Sequence, residues 1–242
     1  MRTSMRRGMA AAVAVSALCF TAACGGSSDD EKKPAAGQEQ STDKATDKAE
    51  APVTPLTAAQ MKAATLEVKD LPTGWKAGTV TSTDDPAPKS DKPECQPIAD
   101  LMADKIPGAT MGQAAEFEGK GDESGLSEHV FTFPATGGAD FVKAIGTALE
   151  SCTKASFDAE GEKLAVTIAK LSTAKVGEES YAFRMTMPIP ELGVNFTSDL
   201  LVARQGTGVV RLAHSSADPT KAAPFDDLAK RAGDKFVKGV QG

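Results

Sequence analysis

The chain has 242 residues, 40% of them hydrophobic, and carries 27 basic against 33 acidic side chains for a net charge of −6. That length accommodates one or two domains, and the acid excess argues against nucleic acid as a partner, because a phosphate backbone is held by clustered lysine and arginine. No stretch reaches the roughly 20 apolar residues that a membrane-spanning helix needs.

In chain order, Arg2, Arg6 and Arg7 precede an apolar run from Met9 to Phe20 and the small residues Thr21-Ala22-Ala23. This is the pattern of an export signal over residues 1–23. Its removal leaves 24 basic and 33 acidic side chains, net −9. The Arg6-Arg7 pair lacks the rest of a twin-arginine pattern, which points to the general secretory route. The junction Thr21-Ala22-Ala23-Cys24-Gly25-Gly26 resembles a bacterial lipobox of the kind found in actinobacterial lipoproteins, departing from it at Thr21, where leucine is usual. The resemblance implies that Cys24 is diacylated with palmitate-like chains and holds the protein on the extracellular face of the cell membrane. Of the four cysteines, Cys19 leaves with the signal, and an exported protein normally keeps no odd thiol. Lipidation of Cys24 leaves Cys95 and Cys152 as a pair, expected to form a structural disulfide outside the cytoplasm.

Residues 24–55 are rich in Gly, Ser, Pro, Lys and acids, with one valine, and cannot repay the entropy of ordering. They read as a lipidated disordered linker with a mean reach of roughly 30 Å. From residue 56 to 242 the pattern is that of a globular domain. Thr57 caps a helix carrying Met61, Ala64 and Leu66 on one face, which Leu71-Pro72-Thr73-Gly74 ends. Trp75, the only tryptophan, reads as a packing anchor or a ligand-stacking residue. Residues 82–94 form a loop into Cys95, followed by a short helix over Pro97 to Asp104.

The period then changes to two. His129, Phe131 and Phe133 alternate with Val130 and Thr132 in a strand. After a Gly137-Gly138 turn, Phe141, Ile145, Ala148, Leu149 and Cys152 recur at helical spacing. Leu164, Val166 and Ile168 mark one strand, and Tyr181, Phe183, Met185, Met187 and Ile189 another, each with one apolar face. Val194 to Val202 continue the sheet, and Gln205-Gly206-Thr207-Gly208 turns into Val209-Val210-Arg211-Leu212. A last helix carries Phe225, Leu228, Ala229, Ala232, Phe236 and Val240 on one face. The order predicts an α+β fold, an antiparallel β-sheet covered by helices with one disulfide.

Catalytic patterns are weak. His129 and His214 lie on strands without Cys, Asp or Glu at metal-ligand spacing, no Gly-x-Ser-x-Gly stands at a strand-to-helix turn, and adjacent acids such as Glu178-Glu179 point apart. The sequence therefore predicts no enzyme, no cofactor and no metal. The stripe Tyr181, Phe183, Met185, Met187 sets flexible methionines beside aromatics, a composition suited to core packing or to an adaptable apolar pocket. Together with Trp75 these are the candidate ligand-lining residues.

Leu71-Pro72-Gly74-Trp75, Cys95, Phe141 and Cys152, then Val176-Gly177-Glu178-Glu179-Ser180 and Leu201-Val202-Ala203-Arg204-Gln205-Gly206 before Val209-Val210 are similar in order to the extracellular sensor domains of actinobacterial PknH-type Ser/Thr kinases and their free-standing lipoprotein relatives. The resemblance implies a disulfide-stapled antiparallel sheet with a helix-lined cleft and a ligand-sensing, non-catalytic role. Those kinase domains typically carry two disulfides, and one pair is available here. The expected function is binding or sensing of a small or apolar ligand by a membrane-anchored module, with an envelope protein as the alternative partner.

Overall fold

A computed structural model describes residues 54–81, 85–119, 124–190, 192–216 and 224–242. The export signal, Cys24 and the linker up to Val53 lie outside the described residues. The elements, in chain order, are α1 (Ala58–Ala64), β1 (Trp75–Ala77), β2 (Lys89–Ser90), α2 (Gln96–Asp100), β3 (Thr110–Gly119), β4 (Gly125–Thr132), α3 (Gly137–Ser151), β5 (Lys154–Ala159), β6 (Glu162–Leu171), β7 (Glu179–Ile189), β8 (Val194–Gln205), β9 (Gly208–Ser216) and α4 (Phe225–Gln241). Short 3-10 turns occupy Val68–Asp70 and Pro93–Cys95.

Local chemistry sets the helices. Thr57 closes a capping box with Gln60 at the start of α1, each side chain taking a backbone N–H of the other. Asp226 and Asp227 stand in the first turn of α4 and Lys238 in its last, where each charge complements the helix dipole. Gly137 and Gly138, expected as a turn ahead of α3, are instead its first two residues.

The strands form one antiparallel sheet of nine, ordered β1-β3-β4-β9-β8-β7-β6-β5-β2. Helices cover both faces, so alternate residues of the central strands enter two different cores. On one face, Phe131, Phe183, Leu200, Val202 and Val209 pack with Ile98 of α2 and Val142, Ile145 and Leu149 of α3. On the other, Leu126, Val130, Leu201, Val210 and Leu212 pack with Met61 and Ala64 of α1 and Phe225, Leu228 and Phe236 of α4. Strands with one apolar face were expected; β8 and β9 are buried on both.

Cys95 and Cys152 are disulfide-bonded with their Cα atoms 5.7 Å apart. The bond joins the start of α2 to the residue after α3, as the cysteine count predicts.

Candidate functional site

The two helices on the α2/α3 face leave one end of the sheet open. The uncovered region is a groove of about 290 Å³ whose lining comes from five adjacent strands and from the residues that follow α2. Its apolar wall is Met185 and Met187 of β7 with Phe196 and Leu200 of β8. Its polar floor is Glu116 of β3, Ser127 and His129 of β4, and Arg211 of β9. Antiparallel pairing puts them together, since Glu116 lies opposite Ser127, His129 opposite Arg211, and Met187 opposite Phe196.

Arg211 organises that floor. Its guanidinium, only 5% exposed, donates to the carbonyl of Leu101, to the carbonyl of Ala103 at 2.7 Å and to Nδ1 of His129. Asp104 Oδ1 lies 3.6 Å from it. A buried arginine cannot shed its proton and needs partners on all sides; here two of them are carbonyls just past the end of α2, where a cation suits the dipole. Arg211 thus fastens the rim of the groove to the sheet. Because arginine only donates, Nδ1 of His129 must accept, which leaves the proton on Nε2, 3.7 Å from Asp104 Oδ1. Burial, reinforced by the Arg211 charge, lowers the His129 pKa to about 4, so the ring is neutral at ordinary pH.

Glu116 is the exception in this network. Its side chain is half-buried, its pKa is raised first of all by desolvation, and among the described residues its carboxylate makes no hydrogen bond or ion pair.

The sequence-derived candidates divide. Met185 and Met187 line the groove. Phe183 is fully buried under the helices in the core of the same face. Tyr181 packs against Gly146 of α3, where no β-carbon would fit, and its hydroxyl donates to Glu179 at 3.0 Å. Trp75 lies on the opposite face in the α1/α4 core, edge-on to His214 with ring centres 6.0 Å apart, and is not brought to the methionines. The groove residues that sequence reasoning passed over are Asp104, Glu116, Phe196 and Arg211. Arg211 carried a signal, a single charge inside Val-Val-Arg-Leu, which predicts a buried partner.

A second hollow of about 430 Å³ lies on the α1/α4 face beside Arg184, Asp199, His214 and Phe225. Arg184 spends its charge on Asp199 in a two-pronged pair at 2.5 and 2.7 Å, and the lining also includes Ser216 and Pro224. Among the described residues no cluster of three His, Cys, Asp or Glu side chains is placed to hold a metal.

The described residues thus form an antiparallel sheet between two helical layers, with a groove on one face and a second hollow on the other. No family model and no curated protein matches the sequence. Among solved structures, the chain is similar to the extracellular domain of PknH from Mycobacterium tuberculosis, with a TM-score of 0.55 and 15% identity over 78% of this chain and 98% of that one. It is also matched, at a TM-score of 0.39 and 11% identity over 76% of this chain and 95% of the other, to a putative uncharacterised protein from Mycobacterium smegmatis. The first likeness is one of fold, and it agrees with the sensor-domain architecture that the sequence resembles.

Proposed function

We propose that the protein is an extracytoplasmic binding or sensing module, anchored by a lipidated Cys24 and without catalytic activity, whose ligand site is the groove on the α2/α3 face. One observation carries the reading: Met185, Met187 and Phe196 form an apolar wall over a fixed polar floor, on a part of that face beside the helices that is open to solvent. Ligand sites combine these two features, and methionines adapt to irregular apolar shapes. The resemblance of residues 1–23 to an export signal, the Cys95–Cys152 bond and a fold shared with the extracellular domain of PknH support the location.

Native mass spectrometry of the chain exported by its own host tests the proposal. The expected result is a discrete extra mass that is lost on denaturing extraction and is missing from Met187→Asp, whose denaturation midpoint stays close to that of the parent. Met187 is half-buried at the wall, so a carboxylate there spoils the wall without entering the core. A clean mass from the parent, joined to cross-linking with an envelope protein through Phe196, would replace ligand binding with partner binding.

A further inference from the structure

The apolar wall does not stop at the groove. β7 pairs with β6 only as far as Thr186, and β8 with β9 only from Thr197, yet β7 and β8 stay paired out to Ile189 opposite Val194. Among the described residues, their last residues therefore pair only with each other, as a two-stranded ribbon. Side chains alternate along it. Met185, then Met187 with Phe196, then Ile189 with Val194 lie on the groove face, while Arg184 with Asp199, Thr186 with Thr197, and Pro188 with Asn195 lie on the other. One face is apolar and the other polar.

That apolar face is open to water. Leu192 at the turn is 70% exposed, Val194 53% and Phe196 39%, and these are three of the five large hydrophobic side chains exposed among the described residues. A hairpin tip of this size falls well short of the roughly 800 Å² per partner that a stable protein interface covers. It is instead a strip that runs out of the groove and shares Met187 and Phe196 with it.

The other end of the groove is polar and carries a carboxylate that makes no hydrogen bond or ion pair among the described residues. The Arg211 cation is spent on two carbonyls, His129 and Asp104, whereas the Glu116 carboxylate faces the groove with acceptor capacity unused. Three strand spacings, about 14 Å in all, separate β3 from β8, and Glu116 lies level with Leu200, so Phe196 stands a further four residues, about 13 Å, along β8.

Building on the reading of the groove as a ligand site, we propose that its ligand is a single-chain amphiphile whose head group carries hydrogen-bond donors, ammonium or hydroxyl. The head binds at Glu116 and the chain lies over Met185, Met187 and Phe196 and out along the β7–β8 ribbon. An anionic head is disfavoured, because Asp104 and Glu116 repel it and the Arg211 cation is already engaged by two carbonyls, His129 and Asp104.

The experiment titrates the full chain carrying Cys24→Ala, which has no acyl group of its own, with decylamine, decyl glucoside and decanoate for the head group and with tetradecylamine and hexadecylamine for the chain, all below their micellar concentrations. Calorimetry and the 13C-methyl resonances of Met185 and Met187 report binding. Decylamine or decyl glucoside should bind at least tenfold tighter than decanoate, and whichever binds tighter identifies the donor. Glu116→Gln should remove most of the preference for decylamine. Lengthening tetradecylamine to hexadecylamine, long enough to run from Glu116 onto the ribbon, should tighten binding on the order of tenfold, as two buried methylenes require, and Leu192→Ser with Val194→Ser, both on exposed positions, should flatten that gain. Equal affinity for decylamine, decyl glucoside and decanoate, with methionine shifts present, would overturn the head-group assignment and leave the groove as a site. A chain-length gain unchanged in the tip variant would overturn the path of the chain. If no probe moved the Met185 and Met187 methyls, the reading of the groove itself would fall.

Discussion

Glu128 occupies a position that an acid rarely holds. It is completely buried on β4, on the face opposite the groove, and its Oε2 accepts the backbone N–H of Leu66 at 2.6 Å while Oε1 has no hydrogen-bond partner among the described residues. Burial raises its pKa from 4.5 to about 8, outweighing the Leu66 hydrogen bond and the field of Lys235, which lower it, while Asp70 adds slightly to the rise. The carboxyl is therefore neutral at pH 7. Its folded pKa lies above the unfolded value, so the native chain binds the proton more tightly, and the stability this confers is complete below pH 4.5 and is lost as pH rises to about 8. His129 acts in the opposite sense. Its pKa falls from 6.5 to about 4 on folding, so its contribution is complete above pH 6.5 and is lost as pH falls toward 4. The two slopes oppose one another between pH 4.5 and 6.5, and only the Glu128 slope acts from 6.5 to 8, at up to about 1.4 kcal/mol per pH unit. Urea denaturation across pH 4.5 to 8.5 should show a plateau and then a decline above pH 6.5. Glu128→Gln should abolish the decline and be the more stable protein at pH 8. A decline that persists in the variant would mean that Glu128 is not its source.

At the scale of elements, α4 and α1 meet at a contact that only glycine permits. A β-carbon on Gly239 would stand 2.3 Å from the backbone nitrogen of Ala64 and 2.4 Å from its Cα, and neither atom can rotate away. α4 is also tied to the 3-10 turn after α1 by Lys235, which reaches Asp70 at 2.9 Å and Glu67 at 3.2 Å, and by Arg231, which donates to the Asp70 carbonyl at 3.1 Å. Gly239→Ala must separate helices that these bonds hold together, and it should lower stability by about 1–3 kcal/mol despite the better helix propensity of alanine. A denaturation midpoint at or above that of the parent would show that α1 gives way freely. The same elements explain what could be read from the sequence. α1 announces itself through the Thr57 cap, and α4 and β7 through long apolar periods. β3 does not, because Thr-Met-Gly-Gln-Ala-Ala-Glu-Phe-Glu-Gly is poor in strand-forming residues, and it becomes a strand through pairing with β4 on one side and β1 on the other. β5, Lys154–Ala159, was hidden for the same reason, with Phe157 its one large apolar residue. The groove was half legible: the methionines appear in a periodic stripe, but Glu116 and Arg211 join them only through the strand order, which the sequence does not state.

In the whole molecule, the chain enters the domain and the groove opens at opposite ends of the sheet. Thr54 is held by Thr207 in the turn between β8 and β9, where Gly206 adopts a φ of +56°, whereas the exposed ribbon begins at Val194, the far end of the 12-residue β8, about 40 Å away. Between these ends the disulfide fastens α2 to α3. α2 has five residues, too few to persist as a helix unaided, yet the residues after it supply Leu101, Met102 and Asp104 to the rim of the groove. Two ties hold that rim, Arg211 from the sheet below and the Cys95–Cys152 bond at the other end of α2. Closing 57 residues of chain is worth about 4 kcal/mol through the unfolded state, a large share of the 5–15 kcal/mol typical of a domain. Replacing both cysteines by alanine should lower the denaturation midpoint accordingly. It should also speed amide exchange over residues 96–104 beyond what the global loss accounts for, while amides of α4 follow the global change. If exchange at 96–104 merely tracks the rest of the domain, the bond acts through the unfolded chain, and Arg211 by itself suffices to keep the rim of the groove in place.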